Sequence, residues 1–341
     1  MIAKDILRRL RERRCYYTGE CSSQASPPLK RIDLDAAEKR AVISALSAPL
    51  PKAVRARQSG LRGLDRVSAL CLPDACSPDQ QRLEARIFRA VTTENVQNAS
   101  EKLLPTMELG QPAADSIRLH LASPSSLGPL LEELLPRAAD GEVWGLPGLR
   151  MTRHPRHLCL RLLGTSATVS VAAVDDSSWK QAVKHLSEVE FRSLWRQSPD
   201  KLTQDEIDFD SRYGGRFQTP PSLASSVLRR IQIFRGARWI DSWTHGPAWK
   251  IEWSGPPSLA EAADSLQDPI FGLPGSFKIA TLGEGALKLV ALNRFYEVRW
   301  EKKEPIELVL RSAADTASDV GAARHPIRGN TALKSTLGRS E

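Results

Sequence analysis

The sequence predicts an α+β fold: a helical N-terminal region, then mixed elements, then a mainly antiparallel, tryptophan-rich sheet and a mobile C-terminal tail. Three observations predict it. Apolar residues in the first hundred positions recur at helical spacing. From residue 111 onward, short runs alternate apolar and polar residues between turn formers. The stretch Arg229–Gly255 (RRIQIFRGARWIDSWTHGPAWKIEWSG) holds four of the eight tryptophans in alternating runs joined by tight-turn residues. The expected segments are a basic, mainly helical region (1–110), an α/β segment (111–200), an antiparallel β-rich segment (201–311) that can form one domain with it, and a disordered tail (312–341).

Residues 2–14 (IAKDILRRLRERR) predict a helix with Ile2, Ile6 and Leu10 on one stripe and Lys4, Arg8, Arg11 and Arg14 around it. Cys15–Leu29 is rich in turn formers and predicts a loop. Asp35–Leu46 reads as a helix with Asp35 as N-cap, ended by Pro49 and Pro51. Lys52–Arg66 is a basic, glycine-broken stretch bearing Arg55, Arg57 and Arg62. Helices are expected from Ser77 to Val91 and from Thr93 to Leu104.

Ser116–Leu121, His157–Leu163 and Ala167–Val174 alternate as strands, and a helix capped by Ser125 or Ser126 runs to Leu135. Ser177–His185 and Glu188–Trp195 read as helices. Thr203 and Glu206 have capping-box spacing. Residues 212–221, with two glycines and two prolines, read as a linker or surface loop. Ile231–Phe234 reads as a strand, and Ser258–Leu266 as a short helix. Phe277–Leu282, Leu287–Leu292, Tyr296–Glu301 and Pro305–Arg311 complete the strands. No internal repeat of convincing period is visible.

In the tryptophan run, Thr244–Pro247 marks a turn. With Trp243 opposite Trp249 and Trp239 opposite Trp253, all four indoles share one face. That face is either covered core or, beside Arg229, Arg230, Arg235 and Arg238, an aromatic platform able to stack bases and hold phosphates.

The chain has 341 residues and a formal charge of +8. That balance favours acidic partners: nucleic acid, an acidic protein or a membrane surface. No run is long and apolar enough for a transmembrane helix, and no secretory signal is apparent. Five cysteines, an odd number, suit reduced thiols in an intracellular protein.

No catalytic, cofactor or metal signature stands out, and none of these groups is expected. The acids at 205–210 lack the spacing of a calcium loop. Arg153–His157 is a His-rich cluster best explained as a basic turn.

The first functional expectation is a non-enzymatic subunit or adaptor of a larger intracellular assembly, with other protein subunits as partners and nucleic acid as a possible one. Contacts would run through Lys4, Arg8, Arg11, Arg14, Arg55, Arg57, Arg62, Arg235, Arg238, Trp239, Trp243, Trp249 and Trp253. The alternatives are a purely protein–protein scaffold and a hydrolase or nuclease with a dispersed site built from His154, His157 and the acids at 205–210.

Overall fold

A computed structural model of the chain describes residues 4–47, 64–93, 107–139, 142–213, 221–237, 239–245, 248–274, 277–281, 286–291 and 306–312. The fold is α+β, with helices first and mixed sheets after them. Among the described residues no helix is long and apolar enough to cross a membrane. The expected helix at 93–104, the strand at 296–301 and the tail beyond 312 lie outside the described residues.

Helix α1 (Lys4–Thr18) buries Ile6, Leu10 and Tyr17 along one stripe. A second helix, α2 (Ser22–Lys30), replaces the loop expected at 15–29. Its serines and prolines suggest turns, but Ala25 and Leu29, four residues apart, both bury, and Gln24 Oε1 accepts from the Cys21 amide at 2.9 Å to close its start.

Helix α3 (Ala36–Ser47) follows a reciprocal cap between Asp35 and Glu38. Helix α4 (Leu64–Cys71) begins at the end of the basic stretch read as loop-like, where Leu64, Val67 and Cys71 share an apolar face. Helix α5 (Pro78–Val91) is capped by the Ser77 hydroxyl, which accepts from the Gln80 amide at 3.1 Å. Its Leu83, Ile87, Phe88 and Val91 are buried, each contributing about 1.5–3 kcal/mol of hydrophobic stabilisation.

The first sheet contains β1 (Met107–Ala113), β2 (Ser116–Leu121), β5 (Leu149–His154), β6 (His157–Leu162) and β7 (Thr168–Ala172), in the order β1-β2-β7-β6-β5. Only β2 and β7 run parallel. The second contains β9 (Trp239–His245), β10 (Ala248–Ser254), β11 (Phe277–Thr281), β12 (Ala286–Ala291) and β13 (Ile306–Ser312), in the order β11-β12-β13-β10-β9. Only β10 and β13 run parallel. A small third sheet joins β3 (Arg137–Ala139), β4 (Glu142–Trp144) and β8 (Arg192–Ser193).

The two large sheets have the same construction. Each is a hairpin, a helix (α6, Leu127–Leu134, or α11, Leu259–Leu266) and then three antiparallel strands, the last returning parallel to the hairpin's second strand. Hairpin strands and helix start at Met107, Ser116 and Leu127 in one unit and at Trp239, Ala248 and Leu259 in the other, the same offset each time. The two units thus repeat one topology, a likeness of backbone that is not visible as a repeat in the sequence. Helix α5 precedes the first unit and α10 (Pro221–Leu228) the second, and these two helices pack against each other at the seam.

The seam is charged and buried. Glu84 of α5 and Arg229, just after α10, are each 0% exposed. Arg229 donates to Glu84 through Nε at 2.7 Å and Nη2 at 2.5 Å, and through Nη1 to the carbonyls of Pro73 and Ala113. Ser225 and Gln80 also donate to Glu84. Gln80 exchanges a pair of hydrogen bonds with the Thr168 backbone of β7. Arg230 turns the other way, to Asp74 and the carbonyls of Phe271 and Gly272. Residues 231–234 form a 3-10 turn instead of the expected strand: the amides of Ile233 and Arg235 bond back to the carbonyls of Arg230 and Gln232, and Ile231, Gln232, Ile233 and Phe234 are all buried.

Further along the chain, α7 (Asp176–Glu188) is longer than expected. The helix expected at 188–195 is β8 followed by the short α8 (Leu194–Gln197). Helix α9 (Gln204–Tyr213) starts with the expected Thr203–Glu206 box.

Glu206 is also the partner of Arg150, which donates from Nη1 and Nη2 at 2.9 Å each. Burial raises the Glu206 carboxyl. The hydrogen bonds from Arg150 and the amides of Thr203 and Gly148 outweigh it and leave the carboxyl below its ordinary range. A lowered folded value stabilises the protein above the unfolded value of about 4.3, and the contribution is lost as pH falls through the folded one. Glu206→Gln is therefore expected to cost roughly 1.5–3 kcal/mol at neutral pH. It should also flatten the loss of stability on acidification below about pH 4, read by urea unfolding across pH.

Candidate functional site

The residues expected to contact partners divide into three groups. In α1, Lys4 is exposed and Arg11 half-buried. Arg8 is exposed but donates to Asp5 and Glu12 at 2.8 Å each, so its charge is met within its own helix. Arg14 is a correction. It is 2% exposed, forks onto Glu20 and donates to the Cys71 carbonyl at 2.5 Å. Neighbouring Arg13 is likewise buried, on Asp268, and the Tyr17 hydroxyl donates to the Ser265 carbonyl at 2.9 Å. The helix is docked by its arginines and tyrosines, so it is not a free basic arm. Arg55, Arg57, Arg62 and Arg238 lie outside the described residues.

The tryptophan platform is also corrected. Arg229 and Arg230 are interior, as described above. The hairpin pairs Trp243 with Lys250, Trp249 with Thr244, Trp253 with Ile240 and Trp239 with Ser254, one residue from the expected register. The physical reason is Asp241, which the expected register sets opposite Ile251. In the observed register Ile240, Ser242, Ile251 and Trp253 form the buried set, and exposed Asp241 faces Glu252. Positions 249 and 253 therefore share one face, and 239 and 243 the other.

Trp253 is a core anchor. It is 0% exposed, its ring meets Phe234 edge-on at 5.1 Å, and its Nε1 donates to the Pro257 carbonyl at 2.7 Å. Arg235 is exposed and lies over the Tyr16 ring at 5.3 Å. The free edge of β9 is blunted: the Ser242 amide is taken by its neighbour's carboxylate, Asp241 Oδ1, at 2.7 Å.

The dispersed hydrolytic site is not brought together. His154 and His157 stack on each other at 4.4 Å at the tip of the β5–β6 hairpin. Asp205 is held by Arg192, Glu206 by Arg150 and Asp210 by Arg82, while Asp208 accepts from Gln204. Among the described residues no group of three or more His, Cys, Asp or Glu is placed to hold a metal ion. The five thiols are free, and burial pushes that of Cys71 up to about 12.

The structure does assemble a surface that the linear sequence does not reveal. The first sheet packs one face, with Ile117, Leu119, Leu158, Leu160, Val169 and Val171 buried. The opposite face is open. Its cross-strand rows are Gln111–Arg118–Ser170–Cys159–Thr152 and His120–Ala172–His157–His154, with Ser116–Thr168–Arg161 beside them. Every residue in these rows is exposed or half-buried. At the β5 edge the Ser116–Thr168–Arg161 row ends in Arg150, which is buried under residues 198–206 through the Ser198 and Lys201 carbonyls and Glu206. Strands β2, β5, β6 and β7 contain arginines and histidines but no aspartate or glutamate; the adjoining edge strand β1 carries Glu108.

Comparison with protein-family models, with curated proteins and with solved structures gives no significant match. The functional reading therefore rests on this geometry. A solvated face ordinarily intersperses charges of both signs, and β2, β5, β6 and β7 carry no carboxylate.

Proposed function

We propose that this chain is a non-enzymatic subunit of a larger assembly, a protein-docking component whose contact surface is the open face of the first sheet. One observation carries the reading: the outward residues of β2, β6 and β7 include arginines and histidines and no carboxylate, and Arg118 stands exposed among them. Antiparallel and mixed sheets tolerate one solvated face, so openness alone is ordinary. The one-signed charge sets this face apart, because it disfavours cationic partners and steers anionic ones. The buried arginines at the seam support the same reading. They hold the two units together and are not available to an external anion.

The test is native size in the organism's own lysate. Wild-type chain is expected to migrate well above its monomer mass of 37.6 kDa. An Arg118→Glu/Ser170→Glu variant, with unchanged circular dichroism and melting, should shift toward that mass. Wild-type migration as a monomer would remove the subunit reading, and an unshifted variant would move the contact elsewhere.

A second reading, phosphate-backbone binding, has one specific observation in its favour. Residues 48–63 contain Lys52, Arg55, Arg57 and Arg62 and no carboxylate. If that segment binds nucleic acid, affinity should fall steeply with salt. Neutralising the four cations should then flatten the slope by about 0.7–0.9 for each phosphate no longer neutralised.

A further inference from the structure

Resting on the docking reading above, we infer that the open face takes an acidic segment of a partner protein, seated in a trough along β7. The floor of the trough is Thr168, Ser170 and Ala172, which alternate along β7 on the open side. Its walls stand on the two neighbouring strands. Arg118 and His120 of β2 form one, and His157 and Arg161 of β6 the other. Strands β2 and β6 are separated only by β7, so the walls are about 10 Å apart at the backbone. That width suits an extended chain lying between long cationic side chains over a floor of short ones. His154 and the exposed Arg156 continue this wall at the hairpin tip.

Two observations choose a carboxylate-bearing protein over nucleic acid. First, β2, β5, β6 and β7 contain no Phe, Tyr or Trp. The stacking surfaces on which single-stranded nucleic-acid binders rely are therefore missing from floor and walls. Second, the wall already holds a carboxylate: Arg161 Nη2 donates to Asp200 Oδ1 at 3.1 Å, with both side chains substantially exposed. The opposite wall presents the matching group. Arg118 is exposed, and no described residue bonds to its guanidinium. Its planar fork suits a bidentate carboxylate, which gives orientation as well as attraction. An acidic segment with carboxylates on alternate residues would repeat at about 7 Å, the spacing of successive rows along β7.

The probe is a fluorescein-labelled octaglutamate peptide, read by anisotropy against the full chain at low and physiological salt. A single-stranded RNA octamer and an octalysine peptide serve as comparisons. The expected result is salt-sensitive octaglutamate binding, weakened about tenfold or more by Arg118→Glu and by Ser170→Glu, with no octalysine binding. The variant with Lys52, Arg55, Arg57 and Arg62 all changed to Gln should keep most of the affinity. Three results overturn the inference. These are no octaglutamate binding at low salt, a loss confined to the 52–62 variant, or RNA binding tighter than octaglutamate and abolished in Arg118→Glu. Failure here with a face-dependent native complex in lysate would refute the partner chemistry alone. Wild-type migration as a monomer would refute the docking reading itself.

Discussion

Arg229→Met is expected to destabilise the protein by about 3–5 kcal/mol, as breaking one side of a buried ion pair does. The substitution leaves the Glu84 carboxylate without its main partner in a site that is fully out of solvent. Ser225 and Gln80 still donate to it, which softens the loss without replacing a charge. The carbonyls of Pro73 and Ala113 lose a donor at the same time, and each is tied to a different part of the seam.

The pair Glu84→Leu/Arg229→Met removes both charges and should recover part of that loss, because an apolar pair has no desolvation to offset. A double-mutant cycle from urea unfolding followed by circular dichroism measures the coupling, expected at about 1.5–3 kcal/mol. A single-variant loss within about 1 kcal/mol would mean that the seam is wetter, or the pair looser, than described.

Trp253→Ala carries the second large effect, again about 3–5 kcal/mol, because the indole no longer fills its site and a cavity opens against Phe234. Trp253→Phe separates packing from polarity. It keeps most of the volume but abandons the Nε1 donation to Pro257, so a loss of about 0.5–1.5 kcal/mol is expected. These variants also test the hairpin register. In the alternative pairing, with Asp241 opposite Ile251, position 253 shares a face with the other three indoles, and the case to separate is that face as an open aromatic platform. The alanine variant would then cost under about 1 kcal/mol. A small loss for Trp253→Ala would therefore argue for the slipped register.

Much of the local structure is legible in the sequence because it depends on neighbours a few residues away. Ser77 before Pro78 starts α5, Thr203 and Glu206 start α9, and Ser258 with Glu261 starts α11, each through a cap whose partners lie within one turn. The hairpin at 239–254 is legible as a hairpin, but its register is not. The tryptophans fit either pairing, and the choice falls to Asp241, which the other register would place on one face with buried Ile251 and Trp253.

The arginines mislead for a similar reason. Arg13, Arg14, Arg229 and Arg230 look like surface charge until their distant partners, Asp268, the Cys71 carbonyl, Glu84 and Asp74 in turn, are known. The repeated topology leaves equal offsets in the chain but few shared residues: Arg118 corresponds to Lys250, Leu119 to Ile251 and His120 to Glu252. Backbone pairing repeats the construction while the side chains differ. The open face is hidden in the sequence because its rows join residues from 116–120, 152–161 and 168–172, and only the strand order places them together. A faint signal exists in the lack of any carboxylate across those strands.

The most direct measurement of the central claim is a photo-crosslink from the trough side of the first sheet. Benzoylphenylalanine at Thr152, exposed on the open face, would be compared in cells with the same group at Lys184, exposed on α7. Docking at the open face is expected to give a discrete higher-mass adduct from position 152 and none from 184, with the adduct abolished when Arg118→Glu is added. Adducts from 184 but not 152, or a 152 adduct indifferent to Arg118, would contradict it.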